Sequence, residues 1–187
     1  METRDWREMV RWMVLLLKER TGQDVEDWNQ RIQEEGFQDE QSLRTWLSEQ
    51  GVVSYPQSLL VWERFGYPSH FLASAGELME AQYADRPHLR PILDAILEAA
   101  AGLGEVIVQA RKGYVSLVTP RRTFARVQPT TRNRVDLGLR LEGQEPGGRL
   151  QPSKIQETMK HQIGITALEE VDAEVLEWLQ RAYDQNR

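Results

Sequence analysis

The hydrophobic pattern of this chain changes its period at Gly104, and this change constrains the fold more than any other feature of the sequence. Before Gly104, apolar residues recur every three or four positions, as they do along one face of an α-helix. From Gly104 to about residue 141, apolar and polar residues alternate in short runs, which is typical of strands buried on one side. We therefore expect an α+β fold, with an N-terminal helical bundle followed by an antiparallel β-meander sheet that has helices packed on one face.

The helical patterns predict a division of the chain into three parts. Residues 1–66 read as a module of about four helices, because each apolar stripe is followed by a glycine, the usual residue just past a helix. Residues 67–86 read as a linker and a connecting helix, and residues 87–187 as an α+β sheet domain. Within that domain, helices over 87–102 and 172–184 carry wide apolar stripes and should cover one face of the sheet.

Short extended runs separated by turn sequences predict the strands of the sheet. The run at 135–141 alternates most cleanly, with Asp136 and Arg140 outward between inward valine and leucine. Residues 142–153 are rich in Gly, Pro and Gln, and we expect a loop there. The spacing suits an antiparallel meander whose strands are expected at 106–109, 114–118, 124–128 and 135–141, with a fifth at 159–165.

Charge is distributed very unevenly, and the sheet segment carries the basic part. The one acid between Val106 and Arg140 is Asp136, against eight basic residues, so this segment carries +7. Because the whole chain carries −6, the remainder carries −13. Such asymmetry favours a surface that binds anions. The eight basic residues are Arg111, Lys112, Arg121, Arg122, Arg126, Arg132, Arg134 and Arg140.

The candidate site lies on the outward face of this basic sheet. If Ala125 and Val127 face the core, Phe124, Arg126 and Gln128 face outward. Guanidinium groups bind phosphate or carboxylate, and aromatic rings stack on bases. The alternative is that the arginines are solvated or pair with the acidic helices, and that Asp136 is a structural ion-pair partner rather than a general base. The candidate ligand-binding residues are Lys112, Tyr114, Ser116, Arg126, Gln128, Arg134, Asp136 and Arg140.

Several classes of chemistry have no support in the sequence. The chain has no cysteine, which excludes disulfides, thiolate–zinc sites and cysteine nucleophiles. Its three histidines are far apart, and the P-loop, GxGxxG and GxSxG motifs are missing. We therefore predict no metal, no cofactor and no catalytic residue. The longest apolar run near the N-terminus, 13–17, is too short to cross a bilayer, so we expect a cytoplasmic protein without a membrane partner.

Two sets of short motifs resemble an uncharacterised bacterial two-module family. The resemblance implies a short helical domain of unknown function, followed by an α/β domain of unknown function that also occurs appended to nuclease-like proteins. It implies no established activity. The motifs of the first module are Thr21-Gly22, Glu26-Asp27-Trp28 and Trp46-Leu47 before Gly51. Those of the second are Lys112-Gly113-Tyr114-Val115-Ser116, Phe124-Ala125-Arg126-Val127-Gln128-Pro129, Arg134-Val135-Asp136-Leu137-Gly138-Leu139, Glu169-Glu170-Val171-Asp172 and Ala182-Tyr183.

Three functional hypotheses follow from the basic sheet face. The first is a non-catalytic binding or adaptor protein that holds an anionic ligand or a protein partner there. The second is a nucleic-acid-associated protein that uses the same face, with affinity that falls steeply as salt rises. The third is a small enzyme in which Asp136, Arg126, Tyr114 and Arg140 line a pocket.

Overall fold

The computed structural model describes residues 2–187 and divides into two compact units. One unit is helical and comprises Asp5–Ala73, and the other comprises Ser74–Arg187 together with the residues up to Arg4. The second unit contains a seven-stranded, mostly antiparallel sheet with helices packed against it. The α+β class expected from the change of period at Gly104 is confirmed.

The helical unit is built from helices whose ends follow from local sequence signals. Asp5, Asp24 and Asp39 precede the first three helices, and the carboxylate of each accepts a hydrogen bond from a backbone N–H of the first turn. Gly22 ends the first helix with a φ of 72°, a conformation that side chains disfavour. The helices are α1 (Trp6–Thr21), α2 (Val25–Glu35), α3 (Glu40–Glu49), α4 (Tyr55–Phe65) and the short α5 (Ser69–Leu72).

The helices of this unit enclose their own apolar core. Trp28 is almost fully buried, and its indole N–H donates a hydrogen bond to Thr21 Oγ1 at 3.2 Å. The core therefore forms from residues at helical spacing on several helices, as expected for a bundle. The buried residues are Met13, Leu17, Trp28, Ile32, Leu43, Leu47, Val52, Leu59, Leu60 and Val61.

The sheet has the strand order β1-β2-β3-β4-β5-β7-β6. Strands β2 to β5 follow one another as an antiparallel meander, as the turn spacing predicts. The edge strand β1 pairs in parallel with β2, and the sequence pattern does not predict it, since residues 1–66 read as helical. The strands are β1 (Glu2–Arg4), β2 (Ile107–Ala110), β3 (Val115–Val118), β4 (Thr123–Thr131), β5 (Arg134–Leu139), β6 (Gln151–Pro152) and β7 (His161–Ile165).

Helices α7 and α8 cover one face of the sheet. Ile92 and Ile96 of α7 and Leu179 of α8 are fully or almost fully buried in one cluster with the inward residues of the strands, such as Val115 and Leu137. Burial of these apolar side chains is the main stabilising contribution to this unit. The helices of this unit are α6 (Ala75–Tyr83), α7 (Arg90–Ala101) and α8 (Ala173–Asn186), with short 3₁₀ turns at Pro87–Leu89 and Leu168–Glu170.

Phe124 corrects the predicted facing of strand β4. The alternating pattern predicts an outward Phe124 beside Arg126, but Phe124 is fully buried. Its ring contacts that of Tyr183 edge-on, with the centroids 5.5 Å apart. The register between β3 and β4 shifts at this point, because Leu117 pairs with Ala125 whereas Val118 pairs with Thr123. This bulge lets two consecutive residues, Phe124 and Ala125, join the core.

No helix within residues 2–187 is both long enough and apolar enough to cross a membrane.

Candidate functional site

The face of the sheet opposite α7 and α8 is polar, and pairing across the strands brings the candidate residues onto it. Ser116 on β3 pairs with Arg126 on β4, and Arg126 pairs with Gly138 on β5. Residues that pair across a sheet share a face, as do alternate residues along a strand. Tyr114, Gln128, Asp136 and Arg140 lie two positions from these pairs, and we call this surface the polar face.

The segment 153–159, which we call the covering segment, lies over part of the polar face. It packs against the sheet at Gly138, where an added β-carbon would lie 3.1 Å from Ile155 Cδ1 and 3.3 Å from Met159 Cβ. Gln156 Oε1 accepts a hydrogen bond of 3.0 Å from Arg126 Nη1. Gly138 therefore permits the covering segment to pack closely on the strand, since even a β-carbon there would require Ile155 and Met159 to shift by a few tenths of an ångström.

A cleft of ≈ 240 Å³ lies between the sheet and the covering segment. Its floor comes from β2, β3 and the start of β4, and its roof from Gln156 and Thr158 of the covering segment. Among residues 2–187, no aspartate, glutamate or histidine lines it. We call it the polar cleft; its lining residues are Gln109, Arg111, Tyr114, Ser116, Thr123, Arg140, Gln156, Thr158 and Met159.

Arg126 is a half-buried cation beside the polar cleft. Its guanidinium carbon lies 3.5 Å from the centre of the Tyr114 ring, and its Nε is buried without a hydrogen-bond partner. Burial lowers the pKa of Arg126, and the interaction with Tyr114 raises it by less. Its acceptor, Gln156, is neutral, so within the described chain no carboxylate compensates this charge.

Arg140 is the second cation without a carboxylate partner. It follows β5, and its backbone N–H donates to the carbonyl oxygen of Phe124 at 2.9 Å, which fixes it at the edge of the bulge. Its side chain lines the polar cleft, and its Nε is buried without a hydrogen-bond partner. No ion pair joins Arg140 to an acid of residues 2–187.

Arg134 and Asp136 form an ion pair outside the polar cleft. Asp136 is 1% exposed, and its Oδ2 accepts a hydrogen bond of 3.2 Å from Arg134 Nη2. Arg134 Nε is also only 3.0 Å from Oδ1, but at an angle that makes no hydrogen bond. The opposite residue on β7 is Gly164, which leaves room for both side chains. Asp136 is therefore paired with Arg134 and lies outside the lining of the polar cleft.

The structure brings only part of the predicted site together. Tyr114, Ser116 and Arg140 line the polar cleft, and Arg126 contacts two of its lining residues. Lys112 lies in the exposed turn before β3. Three further candidates are on the polar face but do not line the cleft, and they are Gln128, Arg134 and Asp136.

Several cleft residues lie far from the basic strands in sequence and are not among the predicted site residues. Gln156 and Thr158 belong to the covering segment, whose position depends on the contact at Gly138. Gln109 was recognised as a strand residue but not as a ligand candidate. Gln109 pairs with Ser116 across β2 and β3, so the two side chains share a face of the sheet. The alternating pattern of β2 was therefore a signal that could have placed Gln109 in the site.

Metal-ligating side chains are not clustered in the part of the chain that the structure describes. Within residues 2–187, no three side chains of the His, Asp and Glu types converge in a way that could ligate one. The donor set of the polar cleft instead consists of guanidinium, hydroxyl and amide groups, which bind anions and neutral polar groups.

Comparison with known proteins gives one family match. The model of a family described as a domain of unknown function (DUF5655) matches residues 79–186. This range contains strands β2 to β7, helices α7 and α8 and the polar cleft. No curated protein and no solved structure matches the chain.

Proposed function

The chain belongs to the family of the DUF5655 domain of unknown function, and on the geometry of its polar cleft we propose that it is a non-catalytic binding protein for a small anionic ligand. One observation carries this proposal: Arg140 lines the polar cleft, Arg126 contacts two of its lining residues on the same face of the sheet, and neither arginine has a carboxylate partner within residues 2–187.

Partly buried cations without counterions favour the binding of an anion. A guanidinium that loses water on folding is destabilised unless an opposite charge or several acceptors replace that water. Arg126 shows this loss in its lowered pKa, which results chiefly from burial. A ligand oxygen that carries negative charge would restore the interaction, and charge-assisted hydrogen bonds are about twice as strong as neutral ones.

Calorimetric titration with small anions tests the proposal. We expect at least one phosphate-bearing or carboxylate-bearing compound to bind and to raise the melting temperature in proportion to the logarithm of its concentration. Arg126→Gln and Arg140→Gln should each weaken binding by about tenfold or more, because hydrogen bonds to charged groups contribute about 1.5–3 kcal/mol.

Arg132→Gln is the matched control. Arg132 is an exposed arginine in the turn between β4 and β5, so this substitution removes the same charge away from the polar cleft. Its affinity for the anion should stay within about twofold of the wild type. If the control loses as much affinity as the two cleft variants, the binding reflects net charge, and the proposed site is wrong.

Nucleic-acid binding is the second candidate, and the exposed basic turns favour it. Arg121 and Arg132 are exposed at turns of the basic sheet segment, where they suit contacts with phosphates. The resemblance to modules that accompany nuclease-like domains supports the same alternative. The covering segment counts against it, because it leaves a small cleft rather than an open surface. Unchanged electrophoretic mobility of RNA and single-stranded DNA at low salt would exclude this candidate.

Catalysis at the polar cleft has less support. The enzyme hypothesis needs Asp136 in the pocket with Arg126, Tyr114 and Arg140. Asp136 is instead buried beside Arg134 and does not line the cleft. Among residues 2–187 the lining offers no carboxylate or imidazole to transfer a proton, so binding without chemistry is the simpler function for this geometry.

A further inference from the structure

The polar cleft is lined by hydroxyl groups as well as by arginine. The hydroxyl groups indicate which kind of anion the cleft would bind. Resting on the proposed function above, we propose that the group bound in the polar cleft is a dianionic phosphate carried by a small molecule, rather than a carboxylate.

The hydroxyl groups of the polar cleft have no hydrogen-bond partner among the described residues. Ser116 is 9% exposed, and the side chains of Ser116, Thr123 and Thr158 make no hydrogen bond with any residue of 2–187. The ring of Tyr114 is held by Arg126, but its hydroxyl likewise has no protein acceptor in that range. Each of these groups can donate one hydrogen bond to a bound oxygen.

The donors come from both sides of the cleft. Ser116 lies on β3 and Thr123 on β4, Arg140 follows β5, and Thr158 lies on the opposite side in the covering segment. A planar carboxylate matches one guanidinium fork, which donates to both carboxylate oxygens in the same plane. A phosphate has three charged oxygens in a tetrahedral arrangement and accepts donors from several sides. The spread of donors therefore suits phosphate better.

The size of the cleft limits the rest of the ligand. Its volume of ≈ 240 Å³ is below the range of about 300–1,000 Å³ that holds drug-sized molecules. A phosphate attached to a small polar molecule fits this space. An internal phosphate of a nucleic acid does not, because the nucleotide on each side of it would also have to lie under the covering segment. Of a nucleic acid, only a terminal phosphate could enter.

The test is a calorimetric comparison of matched ligands. Inorganic phosphate and glucose 6-phosphate should bind. Glucose 6-phosphate should bind about tenfold more tightly than glucuronate, in which a carboxylate stands in place of the CH2–O–phosphate group. If glucuronate or citrate binds equally well or better, and still depends on Arg126 and Arg140, the phosphate inference is wrong while the proposed function stands. If no anion binds, both are wrong.

Hydroxyl deletions give an independent readout. Thr123→Val and Thr158→Val should each weaken phosphate binding by about tenfold, because each loses a hydrogen bond to a charged oxygen. Thr130→Val, an exposed threonine on the same strand as Thr123, is the matched control and should bind like the wild type. Equal affinities for all three variants would contradict the inference.

The pH dependence and an oligonucleotide arm complete the test. Phosphate affinity should rise about fourfold between about pH 5.5 and about pH 7.5, because the second pKa of a phosphate monoester is about 6. The lining of arginine, tyrosine, hydroxyl, amide and methionine groups includes no histidine or carboxylic acid among residues 2–187 to change charge in that range. A pH-independent affinity would count against phosphate. An oligonucleotide that binds only when 5′-phosphorylated would support it, and equal binding of both forms would overturn it.

Discussion

Removal of the Arg134 guanidinium should destabilise the sheet unit, because it leaves the buried Asp136 carboxylate without its cation. Breaking a fully buried ion pair costs about 3–5 kcal/mol, whereas an exposed pair contributes about 0–1 kcal/mol. Asp136 is 1% exposed, but the Arg134 side chain is 43% exposed, so water can replace part of the lost interaction. We expect Arg134→Met to lower the free energy of unfolding by about 2 kcal/mol.

The assay has to report on the sheet unit alone. Of the six tryptophans, all except Trp178 of α8 lie in Asp5–Ala73, so total fluorescence follows mainly the helical unit. Amide hydrogen exchange of β5 and β7 measures the stability of the strands around Asp136. A loss of about 2 kcal/mol should speed the slowest exchange there by about thirtyfold.

Two further variants decide whether the ion pair is the cause. Arg132→Met removes an arginine from the neighbouring exposed turn and should change stability by no more than about 0.5 kcal/mol. The double variant Arg134→Met with Asp136→Asn has no buried charge left and should recover part of the stability that Arg134→Met loses. Wild-type exchange rates in Arg134→Met would refute the reasoning, because the buried carboxylate would then not need its cation.

Three other predictions test the core, the covering segment and a helix cap. Phe124→Ala should lower the free energy of unfolding of the sheet unit by about 3–4 kcal/mol, since the ring is fully buried. Urea denaturation with hydrogen exchange as the probe would measure this loss. Gly138→Val should displace Met159 and the covering segment, which limited proteolysis would detect as faster cleavage within 153–159 and calorimetry as weaker anion binding. Hydrogen bonding from the backbone N–H of Val175 lowers the pKa of Asp172. The stability that this cap contributes is therefore present above the unfolded pKa of about 3.9 and is lost as the pH falls through the lower folded pKa. Asp172→Asn should reduce this acid dependence in a pH series of melting temperatures.

Features with a local cause were predictable from the sequence. The caps at Asp24 and Asp39 are short side-chain bonds to the next turn, and the alternation at 135–139 is visible within one strand. The outward position of Arg126 followed from its neighbours Ala125 and Val127 for the same reason. Local patterns therefore defined the helices, the meander and the basic face.

Features that depend on distant contacts were not predictable. The bulge that buries Phe124 is set by pairing with β3, and a register shift reverses the facing that simple alternation gives. The covering segment is placed by the contact of Met159 with Gly138 on another strand. Strand β1 has only three residues, too few to show a period, so its partner on β2 was invisible in the pattern.

The parallel pairing of β1 with β2 has a consequence for synthesis on the ribosome. Glu2 pairs with Ile107, so on the order of 100 further residues must be synthesised after β1 before its partner strand leaves the exit tunnel. The helical unit lies wholly within that interval and has its own core. We expect the helical unit to fold during translation while the nascent β1 is still unpaired. The pairing of β1 with β2 should then be one of the last steps in forming the sheet.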